Sequence, residues 1–396
     1  MGDSSYNNTF FTVLLILSLL LLFTTNSEST VFNVLDYGAV GNGLTDDTNA
    51  FANAWKATCA SSSSSSPMMH VPSGKTFFVQ PLEFDGPCES DTIIVEIEGN
   101  FVAPSDPSSW DCGKNDCENW ISFRRVDGLR VSGHGSFDGR GQKWWDGKTL
   151  EIASSDDVRL GDGLRFKDSP RVHLVLNSLR NAYVSHVSIE APESSPNTDG
   201  IRVSSCTNVH IDHTRIGTGD DCIAMIGGSS YVTISNITCG PGHGISIGSL
   251  GKNGGYDTAE HVRVGDVVFI GATNGARIKT WQGGKGYVRD ILFERLLFHN
   301  TGNPIIIDQF YCDHAHCTTS ESAIEIRNVT YRQILGTSRK KKVAVKLDCS
   351  ETVPCRDIVF EDIHIIGIDG KIADYECRNV YGRSLGDKVP RLSCLY

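Results

Sequence analysis

Val209-His-Ile-Asp-His-Thr-Arg-Ile216 is followed, 23 residues on, by Val232-Thr-Ile-Ser-Asn-Ile237. In both stretches β-branched residues alternate with polar ones. That period of two buries one side chain of each pair and exposes the other. The same figure recurs from about Gly128 onward: Val184-Ser-His-Val-Ser-Ile189, Val262-Arg-Val-Gly-Asp-Val-Val-Phe269, Val288-Arg-Asp-Ile-Leu-Phe293, Ile324-Glu-Ile-Arg-Asn-Val329 and Ile358-Val-Phe-Glu-Asp-Ile363. Successive copies start roughly 23 to 36 residues apart, a repeat of the size that builds solenoids. Strands this short cannot bury an inner face alone. Stacked coil on coil, they form parallel ladders around one long core.

The repeat predicts an all-β chain folded as a single-domain parallel β-helix. A β-sandwich is the rival, but it needs frequent hairpin turns. Asn-Gly occurs at Asn42-Gly43 and at Asn274-Gly275, and neither joins two clean alternating runs. Upstream, Val31-Phe-Asn-Val-Leu-Asp-Tyr-Gly38 reads as an opening strand ending in a glycine turn. Thr45-Asp46-Asp47 offers N-cap side chains for a short helix to about Cys59, with Phe51, Ala54 and Trp55 on one face. That helix is expected to cover the open N-terminal end and shield its strand edge. Asp156-Asp157 reads as a solvated loop, and Ser61 to Ser66 as a surface loop too short to link domains.

Before the repeat lies an apolar run from Phe10 to Phe23, followed by a small, polar stretch. It is short for a bilayer span and has the length of a signal-peptide core, although Asp3 precedes it and no Lys or Arg does. The division expected is a secretory signal over residues 1–29 and the β-helix domain over 30–396. Secretion permits disulfides. The 13 cysteines group as Cys59/Cys88, Cys112/Cys117, Cys222/Cys239, Cys312/Cys317, Cys349/Cys355 and Cys377/Cys394, leaving Cys206 as a buried free thiol. Cys312-Asp-His-Ala-His-Cys317 resembles a zinc loop, but in a secreted chain a local disulfide is favoured. Asn236-Ile-Thr238 and Asn328-Val-Thr330 are glycosylation sequons.

With 40 glycines and 4 methionines among 396 residues, the composition favours turn-rich β structure. A formal charge of -11 argues against nucleic acid or an anionic membrane as partner. It also disfavours a polyanionic substrate unless the cleft is locally basic. The basic run Arg339 to Lys342 reads as a solvated turn.

Four polar clusters end alternating runs: Asn197-Thr-Asp199, Gly219-Asp-Asp221, Gly242-His-Gly244 and Arg277-Ile-Lys279. Residues one coil apart stack at about 4.8 Å. Asp199, Asp220 and His243 are one short coil apart, and Arg277 and Lys279 follow a longer coil whose excess is Gly251 to Thr258. The stacking predicts one exposed patch, with Ile278 pointing inward between the two cations. Two carboxyl functions hydrolyse a glycoside, one giving a proton and one activating water. Three crowded carboxylates cannot all ionise cheaply, so one should keep its proton near neutral pH. Gly217 and Gly219 would bend the strand so that Asp220 and Asp221 both face the cleft. The glycines around His243 would let a sugar approach the backbone. Arg277 and Lys279 supply the positive charge a uronic acid needs.

Ser195-Pro-Asn-Thr-Asp-Gly-Ile201, Cys239-Gly-Pro-Gly-His-Gly-Ile-Ser-Ile-Gly248 and Arg277-Ile-Lys-Thr-Trp281, with the order of the clusters, resemble the plant polygalacturonases. The resemblance runs from Phe32-Asn-Val34 to the C-terminal cysteines. It implies a right-handed, pectin-lyase-like β-helix that hydrolyses α-1,4-galacturonosyl linkages of de-esterified homogalacturonan with inversion. It implies Asp220 as the general acid, and Asp199 and Asp221 as the pair that positions and deprotonates water. His243 would support the acid, while Arg277, Lys279 and Tyr311 would contact sugar; Asn197 would order the turn carrying Asp199. It implies no metal or organic cofactor, polygalacturonate as partner with wall inhibitor proteins besides, a monomer, and secretion to the plant cell wall. The Arg277-Ile-Lys-Thr-Trp-Gln-Gly-Gly284 string favours endo over exo action. Two rival classes are a calcium-dependent pectate lyase and a non-catalytic wall-binding β-helix. The cations beside the carboxylates disfavour a calcium cage, and the intact acids disfavour an inert module.

Overall fold

A computed structural model describes residues 30–62, 66–111, 119–145, 149–313, 317, 319–321, 323–339 and 343–395. The expected signal segment, Cys112/Cys117 and most of the basic run lie outside them. The chain winds as a right-handed parallel β-helix of two sheets; among the described residues these have 19 and 11 strands, and every paired strand is parallel. The larger sheet includes Thr207–Gly217, Ser229–Cys239, Tyr256–Ile270, Lys285–Thr301, Glu325–Ser338 and Cys355–Gly367. The smaller runs through Ile201–Ser204, Ile223–Met225, Ile245–Leu250, Asn274–Trp281, Asn303–Tyr311 and Val343–Asp348.

The inward positions stack in columns. Val209, Val232, Val262, Ile291, Val329 and Ile358 face one another on successive coils. Two residues on, Ile211, Ile234, Val264, Phe293, Tyr331 and Phe360 form the next column. All twelve are buried. Where aromatic rings succeed one another they stack: Phe293 on Tyr331 at 5.2 Å and Tyr331 on Phe360 at 4.9 Å. These separations follow from the coil rise, which matches the offset-stacking distance of aromatic pairs.

The long strands bend without hairpins. The residue before each member of the first column is left-handed: Asn208, Tyr231, His261, Asp290, Asn328 and Asp357 all have φ between 53° and 60°. Four positions after each member the chain turns again, at His213, Asn236, Asp266, Arg295, Gln333 and Asp362. A non-glycine residue held there costs on the order of 1 kcal/mol or more, least for Asn and Asp. Polar residues therefore gather at the corners, and the turn is one residue rather than an Asn-Gly pair.

Several local expectations are corrected. The coils begin well before Gly128, since Val31–Asn33 pairs with Met68–Val71, which pairs with Ile93–Ile97, which pairs with Leu129–Ser132. These strands of three to five residues are too short for the alternation to stand out. The opening strand stops at Asn33, and Val34–Tyr37 is a 3-10 turn closed by Gly38. Val262 faces Ile291, whereas Val288 faces Ile326 and Ala259. Asp156 and Asp157 open a strand, with Asp157 bonded to Arg130 at 2.6 Å. Of the excess Gly251 to Thr258, residues Tyr256 to Thr258 belong to a strand.

The helix α1, Thr48–Cys59, buries Ala50, Phe51, Ala54, Trp55 and Thr58. Phe51 packs on Phe77 and Phe101, and Trp55 on Phe84 and Phe123, so α1 covers the apolar interior of the first coils. Its capping differs from expectation. Asp46 accepts from the Thr48 amide at 2.9 Å, while buried Asp47 turns back to accept from the Val40 and Gly41 amides at 2.7 and 3.2 Å. Disulfides join Cys59–Cys88, Cys222–Cys239, Cys312–Cys317, Cys349–Cys355 and Cys377–Cys394, and Cys206 is a buried free thiol.

Candidate active site

The smaller sheet carries the polar clusters. Ile201, Ile223 and Ile245 face one another on three successive coils, and Ile245 faces Ala276. Asp199, Asp221 and His243 each precede their paired isoleucine by two residues, so three turns bring them together. Asp220 is set one residue earlier than this column. The neighbouring outward column runs Arg202, Ala224, Ser246, Arg277 in direct register. Ile278 is buried in the core between Arg277 and Lys279, and both cations point out at the same acid.

Close coil approach shapes the turns. A side chain at Gly219 would put its first carbon 1.9 Å from the Ser195 carbonyl oxygen. Gly219 is therefore required by the coil before it, not by a strand bend as expected. Gly244, at φ 89°, would meet the Gly275 oxygen at 2.3 Å. Gly244, beside His243, is required by coil stacking. The turn carrying Asp199 is tied by Ser195 and Thr198: their hydroxyls lie 2.7 Å apart, and Thr198 Oγ1 accepts from the Gly219 amide at 3.1 Å. Asn197 contributes a left-handed φ of 56°, and its side chain is exposed. The Cys222–Cys239 disulfide anchors the residue next to Asp221.

Each carboxylate has its own cation. Asp220 Oδ1 lies 2.9 Å from His243 Nδ1, and the Asp220 carbonyl accepts from the His243 amide at 2.8 Å. Asp221 Oδ2 accepts from Lys279 Nζ at 2.7 Å, while its Oδ1 accepts from Ser246 Oγ at 2.7 Å and lies 3.6 Å from Arg277. Asp199 Oδ2 accepts from Arg202 Nη2 at 2.6 Å and Nε at 3.2 Å. The His173 imidazole backs the Asp199 turn, contacting its carbonyl at 3.1 Å through Nδ1 and accepting from the Ser169 amide through Nε2. Tyr311 lies beneath the cations, its ring 5.2 Å from Lys279 Nζ and 5.5 Å from the Arg277 guanidinium.

The environments drive the three acids apart. Burial and the Asp221 charge push Asp199 up to about 7, with Arg202 opposing. Burial also pushes Asp220 up, but the His243 hydrogen bond and charge, with Lys279, outweigh it and hold Asp220 below the usual carboxylate range. The Asp220 bond raises His243 above the ordinary imidazole value against burial. Burial lowers His173 to about 4, which keeps that ring neutral at physiological pH. In the free protein the expected retained proton is thus on Asp199, and the Asp220–His243 pair shares another.

Asp220, Asp221 and His243 present donor atoms within 4.8 Å of one another, a spacing a metal ion could use. Lys279 already supplies positive charge to that group, so the set is compensated without an ion. Glu260, His261 and Asp290 form a second such group on the larger sheet, where Arg289 binds Glu260 at 2.5 Å. Arg202, Ser246 and His173 were absent from the sequence-derived set. None of the three carried a readable signal: Gly200 and Ile201 separate Arg202 from Asp199, and a strict alternation would set the two on opposite faces.

Three acids gathered beside paired cations on a parallel β-helix point to the class of polysaccharide-cleaving enzymes. Residues 59–388 match the profile of glycosyl hydrolases family 28, and the chain belongs to that family of glycoside hydrolases. It is 41% identical to a polygalacturonase of Persea americana, over 89% of this chain and 78% of that one. With polygalacturonase-2 of Solanum lycopersicum it shares 40% identity, over 92% and 81%. The crystal structure of the endo-xylogalacturonan hydrolase from Aspergillus tubingensis superposes with a TM-score of 0.76 at 26% identity, covering 92% of this chain and 98% of that one.

Proposed function

We propose that this chain hydrolyses α-1,4-galacturonosyl linkages of de-esterified homogalacturonan with inversion, cutting inside the polymer, as a secreted enzyme of the plant cell wall. The observation that carries the reading is the convergence of Asp199, Asp220, Asp221 and His243 with Arg277 and Lys279 on one sheet face. Polygalacturonases of about 40% identity over most of the chain support the substrate class.

Asp220 donates the proton to the leaving glycosidic oxygen. It is ionised in the free protein, but an Asp220 carboxylate with an imidazolium holds as many protons as an Asp220 acid with a neutral imidazole. His243 Nδ1 lies 2.9 Å from Asp220 Oδ1, so a proton passing from the imidazolium to the carboxylate leaves His243 neutral and Asp220 as the acid, whose proton then goes to the leaving glycosidic oxygen. Asp199 and Asp221 hold the water that attacks the opposite side of the sugar ring. Arg277 and Lys279 both balance Asp221 and attract the uronate carboxylate, with Tyr311 flooring the subsite. This local charge answers the objection raised by the overall charge of -11.

The test is a time course on polygalacturonate. Hydrolysis yields saturated reducing ends, with the β-anomer first in fresh proton NMR spectra and viscosity falling before much sugar is released. Unsaturated, UV-absorbing ends would point to a lyase, galacturonate monomer from the outset to exo action, and an active Asp220→Asn variant would refute the acid assignment. Passage through a plant secretory pathway is checked by the mature N-terminus, expected near residue 30, and by glycopeptides at the exposed Asn236 and Asn328.

A further inference from the structure

Among the three acids, Asp199 is the one whose cation comes from its own coil. Asp220 is served by His243 from the next coil, and Asp221 by Arg277 and Lys279 from two coils on. Arg202 stands three residues after Asp199, on the outward face in register with Ala224. Its Nη2 and Nε both point at a single oxygen, Oδ2, at 2.6 and 3.2 Å. Asp199 is 4% exposed, whereas the Arg202 side chain is 26% exposed. The remaining groups facing Asp199 cannot replace it. Asp220 and Asp221 on the following coil are acids, and His173 on the preceding coil is neutral and bound to the carbonyl.

We infer that Arg202 is a positioning residue for the reaction: it fixes the direction of the Asp199 carboxylate and favours the charged form that takes a proton from water. The inference rests on the reading of Asp199 as part of the water-activating pair. Two guanidinium donors converging on Oδ2 hold that oxygen in place and leave Oδ1 turned away from Arg202 as the acceptor for water. It also opposes the repulsion that Asp220 and Asp221 exert. Without it, Asp199 would hold its proton to higher pH and the acid-side limb of kcat/KM would move upward.

The experiment compares the full-length secreted protein with Arg202→Gln and Arg202→Lys, measuring kcat/KM on polygalacturonate across pH, with thermal unfolding to check folding. The Gln variant is expected to move the acid-side limb up by about one pH unit, a tenfold loss on that side, with recovery at higher pH. The Lys variant is expected to restore the limb while losing part of kcat, because an ammonium replaces the charge but not the fork. An unmoved limb in Arg202→Gln, or an equal loss at every pH, would overturn the inference. Asp199→Asn keeps the two readings apart: full activity there means that Asp199 does not activate water, whatever Arg202 does.

Discussion

Two clusters of buried charge, on opposite sheets, have opposite outcomes. On the larger sheet, Glu294 is fully enclosed by three guanidinium groups: Arg295 reaches it at 2.9 Å, and Arg263 and Arg332 bind its two oxygens. Burial pushes that carboxyl up, but the bonds from Arg332, Arg295 and Arg263 hold it below the usual glutamate range. On the smaller sheet three acids crowd together, and Asp199 is driven up to about 7. One acid among three cations is a structural staple. Three acids crowded together, one of them driven up by burial and by its neighbours' charge despite its own cation, keep a proton to exchange near neutral pH, as the proposed hydrolysis requires.

Substitutions can break this contrast. The largest effect is expected for Asp220→Asn, which should lower kcat by about 10²–10⁴-fold with folding intact, checked by reducing-end release and circular dichroism. Glu294→Gln should leave specific activity unchanged and cost about 2 kcal/mol in urea unfolding, because three partly exposed guanidiniums lose their common anion. The Glu294 contribution is present above its unfolded value near 4.5 and is lost as pH falls through the lowered folded value, so wild type and Glu294→Gln should converge in acid.

Asp199 has the reverse sign. Its folded value is raised, so its contribution is complete below 3.8 and disappears as pH rises through about 7. Asp199→Asn should therefore gain stability relative to wild type by about 4 kcal/mol as pH rises from 4 to 7, while losing activity; unfolding midpoints at several pH values check this. The smallest effect tests a core column instead of a charge cluster. Among the described residues, the buried Tyr331 hydroxyl has no hydrogen-bond partner, although its ring stacks between Phe293 and Phe360. Tyr331→Phe should raise stability by about 1 kcal/mol and leave activity alone.

Legibility followed strand length and the range of each interaction. Alternation in Thr207–Gly217 and Ser229–Cys239 was readable because eleven residues show the period plainly, whereas Val31–Asn33 with three could not. The polar clusters were readable because a repeat converts sequence spacing into stacking. The fine register was not: Asp220 was assigned to the stacked position that Asp221 occupies, because one residue in a turn changes which side chain lies above which. Gly219 and Gly244 were seen as flexible positions, but a neighbouring coil's carbonyl oxygen makes them necessary, a contact between residues distant along the chain.

By itself, the sequence determined that short alternating strands must pile into a parallel coil and that acids and cations recurring at the coil length must meet. Periodicity and spacing are one-dimensional properties, and a solenoid carries them almost unchanged into space. Tertiary structure alone decided which cation serves which acid, that Arg202 belongs with Asp199, and which acid burial drives up. Those outcomes depend on distances of a few ångströms and on burial, and both exist only after the coils have packed.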